Sequence, residues 1–132
     1  MPNLRFQWRP ALAAAACLAA GLVLFKYGTG HLRGFGSDVL VVVFITACVA
    51  ATNVGSPRSR PIGVLIFAVV VECIQALGLV GADSHWFLHL TLGSTFDPLD
   101  LLAYAIGAVI AVGFERLWAA PEHNATPPAA VE

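Results

Sequence analysis

Residues 61–80 read PIGVLIFAVVVECIQALGLV, an apolar run from Ile62 to Val80 that follows Pro61, ends at the glycines Gly78 and Gly81, and holds one acid, Glu72, near its middle. At a rise of about 1.5 Å per residue, a helical run of this length approaches the roughly 30 Å hydrocarbon thickness of a bilayer. Lipid offers no hydrogen bonds to the backbone, so a spanning segment closes its own ladder as a helix. Three more runs flank it, giving predicted spans of about 11–27, 38–54, 62–80 and 98–118. Trp8 before the first run, and Lys26 and Tyr27 at its end, are side chains that anchor helix ends at a membrane interface. The second run is introduced by Gly34-Phe35-Gly36-Ser37-Asp38, read as a turn followed by helix-start residues, and stops at Asn53-Val54-Gly55-Ser56-Pro57. The fourth starts behind Asp97-Pro98. The expectation is an all-α, four-helix transmembrane bundle forming one domain over 1–118, with 119–132 a disordered cytoplasmic tail rich in Pro and Ala. Between spans three and four, the segment HWFLHLTL is too apolar for a free loop and too short to cross. It reads as an interfacial or re-entrant turn.

Composition agrees. Of 132 residues, 58% are hydrophobic and 11% charged, and the mean hydropathy is +0.80, far more apolar than soluble domains tolerate. The seven Lys and Arg are scattered, which leaves no basic stripe for nucleic acid. Cys17, Cys48 and Cys73 lie in separate runs without a CxxC or a neighbouring His, so they read as small packing residues rather than a metal or disulfide set. The Ala-rich start offers sites of the kind signal peptidase cuts, but the apolar stretch ahead of Cys17 is short for a lipoprotein signal. The first run is read as a retained helix. With the N-terminus inside, Arg5, Arg9, Arg58, Arg60 and Arg116 are cytoplasmic against Lys26 and Arg33 outside, five to two, which predicts both termini in the cytoplasm.

That topology brings the outer ends of spans two, three and four together and places Asp38, Gln75, Asp97 and Asp100 near one level, with Glu72 somewhat deeper. Glu72 and Gln75 share a helix face, as do Asp97, Asp100, Tyr104 and Gly107. Ala103, Gly107 and Ala111 form a small-residue stripe that admits a close neighbouring helix. Bland readings stand beside each of these. Asp97-Pro98-Leu99-Asp100 has the form of a capping box, and Asp38 that of a helix-start acid. His85 and His89 are four apart, but without an intervening Glu they are ordinary interfacial company for Trp86 rather than metal ligands. Glu115 and Arg116 read as a solvated pair. Glu72 has no cap to make at a span centre, where insertion of an acid costs about 2.5 to 3.5 kcal/mol. It is expected to be protonated or to pair with Lys26 or Arg33, with Gln75 completing its hydrogen bonds. The alternative is a purely structural bond between helices.

The combination of E-C-I-Q at Glu72–Gln75 with GSTFDPLDLLAYAIG at Gly93–Gly107, and S-D-V-L at Ser37–Leu40, resembles the VanZ-like group of small bacterial membrane proteins, in particular its branch known as a domain of unknown function. The likeness covers most of the chain between Phe25 and Arg116. It implies a bacterial inner-membrane protein linked to the cell envelope, with Asp38, Glu72, Gln75, Asp97 and Asp100 at the motif positions. Gly93-Ser94-Thr95 stands where the namesake of the group carries an Arg ahead of the Asp97 motif.

From these residues the expected function is an acidic pocket facing the outer leaflet that binds, senses or transports a small solute, a proton or an envelope component. Its site is Asp38, Glu72, Gln75, Asp97, Asp100 and Tyr104. No cofactor and no metal are expected. The partners are membrane lipids and a small-molecule or envelope ligand, with room for a homo-oligomer. Two alternatives remain: a structural subunit of a larger membrane complex, and an enzyme on lipid-linked headgroups using Asp97 and Asp100 around a divalent ion. For the enzyme the sequence supplies no phosphate clamp and no nucleophile with an adjacent base.

Overall fold

The computed structural model describes residues 6–77 and 97–119. They form four helices: α1 Trp8–Tyr27, α2 Gly30–Ala51, α3 Ser59–Ala76 and α4 Pro98–Ala119. All four are long and apolar enough to cross a membrane, and no strand occurs among the described residues. The chain is a multi-pass membrane protein with the all-α architecture expected of it. The turn expected within 82–96, with His85 and His89, and the tail from 120 lie outside the described residues.

The helices alternate in direction. Gln7 at the start of α1 donates its backbone N–H to the Ala51 carbonyl at the end of α2, 2.9 Å away, and Arg60 at the start of α3 meets Glu115 near the end of α4. One end of the bundle therefore gathers Arg58, Arg60 and Arg116, and the other gathers Glu72, Asp97 and Asp100. Helix α2 is central and packs along α1, α3 and α4, while α3 and α4 also pack on each other.

Helix α2 begins at Gly30, so Gly34, Phe35 and Gly36, expected to form a turn, lie inside the helix. A glycine costs a helix only about 1 kcal/mol, whereas leaving the ladder there strands backbone groups in an apolar surrounding. The Ser37 hydroxyl settles within the same helix, donating to the Arg33 carbonyl at 2.6 Å.

The seam between α2 and α4 is tight. Ala103, Gly107 and Ala111 are all buried, and a Cβ placed on Gly107 would stand 2.7 Å from the Val39 carbonyl oxygen and 2.9 Å from the Val42 Cβ. The small-residue stripe thus does what its spacing implies. Val42, Val64 and Ala108 make a core shared by α2, α3 and α4, against which Ile45, Leu65, Ala68 and Tyr104 pack. Outward faces carry Leu12, Leu22, Phe25, Ile66 and Val70, the pattern of helices solvated by lipid. Cys73 departs from the packing role read for it and lies exposed, while Cys17 and Cys48 are half-buried.

At the arginine end a polar network joins all four helices. The Gln7 side-chain amide donates to Asn53 Oδ1 at 3.0 Å, and Arg60 donates to the same oxygen at 3.3 Å and to Glu115 Oε2 at 3.0 Å. Arg60 also donates to the carbonyls of Val54, at 2.7 Å, and Gly55, at 3.0 Å. Asn53 and Gly55 have positive φ, 56° and 71°, a conformation that Gly and Asn adopt most readily, and the turn they form presents its carbonyls to the guanidinium. Glu115 is therefore not the solvated partner of Arg116 that the sequence suggested: it is 3% exposed and paired across the bundle. It stands four residues beyond Ala111, so it continues the buried stripe of α4.

Candidate functional site

The acidic end is built from the start of α4. Asp97 Oδ1 accepts the Leu99 N–H at 2.9 Å, and its backbone carbonyl accepts the Asp100 N–H at 2.9 Å. Asp97 is thus the cap of α4 with Pro98 at the first helical position. A complete capping box would have Asp100 reach back to the Asp97 N–H. Here that N–H donates to Glu72 Oε1 at 3.2 Å instead. The Asp100 side chain is thereby released from the cap and lies across the seam against Asp38, the two carboxyls within hydrogen-bonding reach. Asp97→Ala is expected to cost about 1 kcal/mol and Asp97→Asn only a few tenths, read from denaturant unfolding in mild detergent. The bond to Glu72 comes from the backbone and survives both changes.

Asp38 is eight residues inside α2 and caps nothing, so its reading as a helix-start acid is set aside. Glu72 lies in the last turns of the described α3, its carboxylate between the α4 start and Tyr104, and is 1% exposed. Its second oxygen accepts the Tyr104 hydroxyl at 3.4 Å. Neither Lys26 nor Arg33 is its partner: Lys26 Nζ stands 5.1 Å from the centre of the Tyr27 ring, and the Arg33 guanidinium 5.6 Å from that of Phe25. Gln75 is half-buried one turn away and takes no part in the hydrogen bonds of Glu72 with the described residues. The structure thus joins Asp38, Glu72, Asp97, Asp100 and Tyr104 and leaves Gln75 at their edge.

Two hollows meet this cluster. One, of about 380 Å³, lies among α2, α3 and α4, with Val41, Val42, Ile45, Val64, Phe67 and Val71 as apolar walls and Ser37, Asp38 and Tyr104 as its polar groups. The other, of about 230 Å³, is bordered by Gly30, His31, Asp97 and Asp100. The Asp38–Asp100 pair therefore has one carboxyl on each hollow. Two unit negative charges about 4 Å apart repel by about 4 kcal/mol at an effective dielectric of 20, so the pair favours a proton or a cation beside it. Glu72 lines neither hollow. Its two hydrogen bonds fix Tyr104 and the α4 start in place around them.

The acidic groups have a sequence signal, acids in apolar runs. The Arg60–Glu115 pair was missed because its members are 55 residues apart, and the one available sign was the four-residue step from Ala111 to Glu115.

A family model described as "Protein of unknown function (DUF2809)" matches residues 27–108, a span that holds the whole acidic cluster. No curated protein and no solved structure matches the chain.

Proposed function

The chain belongs to the DUF2809 family of proteins of unknown function, and from the site within the matched span we propose that it binds a small amphiphilic cation. The ammonium of the ligand takes the place of the proton or cation held by Asp38 and Asp100, the Tyr104 hydroxyl orients it, and the alkyl part fills the apolar hollow. One observation carries this reading: a carboxyl pair that favours a positive partner opens onto a hollow of about 380 Å³ whose described walls are otherwise apolar but for Ser37 and Tyr104. Glu72 acts through Tyr104 and the α4 start rather than on the ligand.

The acidic end faces the outer side and both termini are cytoplasmic, an orientation supported by the five-to-two count of basic residues. The membrane is the bacterial inner membrane and the ligand an envelope component or a solute passing through it. This part rests on the likeness of Glu72–Gln75 and Gly93–Gly107 to the VanZ-like group. The test uses purified protein in detergent, with n-butylammonium as the probe and pentanoate as its anionic counterpart. Butylammonium is expected to raise the thermal midpoint and pentanoate to leave it unchanged. Asp38→Asn should weaken butylammonium about tenfold or more, and Glu72→Gln, which keeps the shape, should weaken it less. Equal responses to the two probes, or an unaltered response in Asp38→Asn, would remove the proposal.

A second reading, a subunit of a larger complex, is favoured by α1, which among the described residues buries only Pro10 and Ala14 and presents a smooth Ala-rich face. Co-purification of one stoichiometric partner through that helix would select it.

A further inference from the structure

We propose that the groove at the arginine end is a second binding site, for an anionic phospholipid of the phosphatidylglycerol class. In this arrangement the phosphodiester lies between Arg58 and Arg116, and a headgroup hydroxyl donates to Glu115 Oε1. The groove measures about 850 Å³ and runs between the start of α3 and the end of α4, lined by Ser56, Arg58, Ile62, Val112, Glu115 and Arg116. It is remote from the acidic cluster and independent of the reading given above.

Three observations select the ligand. The first is Glu115, a wall of the groove and 3% exposed. Its Oε2 is held by Arg60, and its Oε1 is buried with no hydrogen-bond partner among the described residues. A buried carboxylate oxygen left without a donor is costly, so the ligand that suits the groove brings a hydroxyl. The second is charge. Arg60 already neutralises Glu115, and Arg58 and Arg116 are exposed and make no ion pair among the described residues. Two guanidinium groups then face the groove, and Arg takes up phosphate in bidentate fashion. The third is depth. The groove sits where α3 begins and α4 ends, the same helix end that carries the stacked rings of Phe114 and Trp118, 5.8 Å apart. Trp marks the headgroup layer. Ile62 and Val112 offer the first acyl carbons an apolar wall continuous with the lipid-facing surface.

The experiment measures lipid binding to the full-length protein in detergent by native mass spectrometry and thermal shift. Four additives separate the sources of affinity: phosphatidylglycerol, phosphatidylmethanol (anionic, no hydroxyl), phosphatidylcholine (no net charge, no donor) and the soluble headgroup glycerophosphoglycerol. Phosphatidylglycerol is expected to bind about tenfold tighter than phosphatidylmethanol, the worth of one hydrogen bond to a charged group, and phosphatidylcholine weakest. The double variant Arg58→Gln/Arg116→Gln should reduce phosphatidylglycerol to the phosphatidylcholine level while leaving the lipid-free thermal midpoint unchanged, since both side chains are exposed. Equal binding of phosphatidylglycerol and phosphatidylmethanol would remove the Glu115 contact and with it the proposal. So would a lipid preference that persists in the double variant. Full protection by glycerophosphoglycerol would overturn the assignment to a lipid in favour of a soluble phosphodiester.

Discussion

Arg60→Met is expected to destabilise the folded protein by about 3–5 kcal/mol, the loss seen when one member of a buried ion pair is removed. The magnitude follows from what stays behind. Glu115 is 3% exposed and its Oε1 already lacks a donor among the described residues, so without the guanidinium the whole carboxylate is stranded. The carbonyls of Val54 and Gly55 lose their donor at the same time, and Asn53 is left holding only Gln7 of the network that joins the four helices. The double variant Arg60→Met/Glu115→Leu should recover most of the loss, because apolar side chains of similar volume often replace a buried pair at little cost. Denaturant titration in dodecyl maltoside reads both. A single variant within about 1 kcal/mol of wild type would mean that the pair is solvated after all.

The second large effect belongs to Gly107→Leu. Its Cβ alone would come within 2.7 Å of the Val39 carbonyl oxygen, and a backbone atom cannot rotate aside. Helices α2 and α4 must part along their seam. Overpacking of ordinary cores costs about 1–3 kcal/mol, and a clash with backbone is expected at or above the top of that range. Because Asp38 and Asp100 face each other across the same seam one to two turns away, the variant should also lose butylammonium binding in whatever fraction still folds. Gly113→Leu, on the same helix but with open space around its Cβ, is the matched control and should retain both stability and binding. A Gly107→Leu protein indistinguishable from that control would show that the seam is loose.

Much of the bundle was readable from composition because lipid simplifies the problem. A run such as Ile62–Ala76 has one way to satisfy its backbone, and the stripe at Ala103, Gly107 and Ala111 announced where α4 would meet a neighbour. Boundaries were less legible. Gly34-Phe35-Gly36 carries the chemistry of a turn in water, but inside α2 the pull of a continuous ladder outweighs it, so Asp38 sits well within the helix rather than at its cap. Asp97 illustrates the reverse: the capping box was visible, but its second half was not. That half depends on Glu72, a residue from another helix, arriving to take the Asp97 N–H and free Asp100 to meet Asp38. Pair choice in a bundle is set by which faces meet, and one sequence displays faces without naming their partners. Arg60 and Glu115 show the same limit. The arginine looked like one more topology signal and the glutamate like surface until the helices brought them together.

The bond from the Asp97 N–H to Glu72 pins the last turns of α3 to the beginning of α4. Where two helix ends are tied at a fixed spacing, the length of sequence that joins them matters little to stability, a doubling costing only about 0.6 kcal/mol in closure entropy. Insertions between positions 78 and 96, by drift or by grafting, are therefore expected to leave the register of the four helices unchanged.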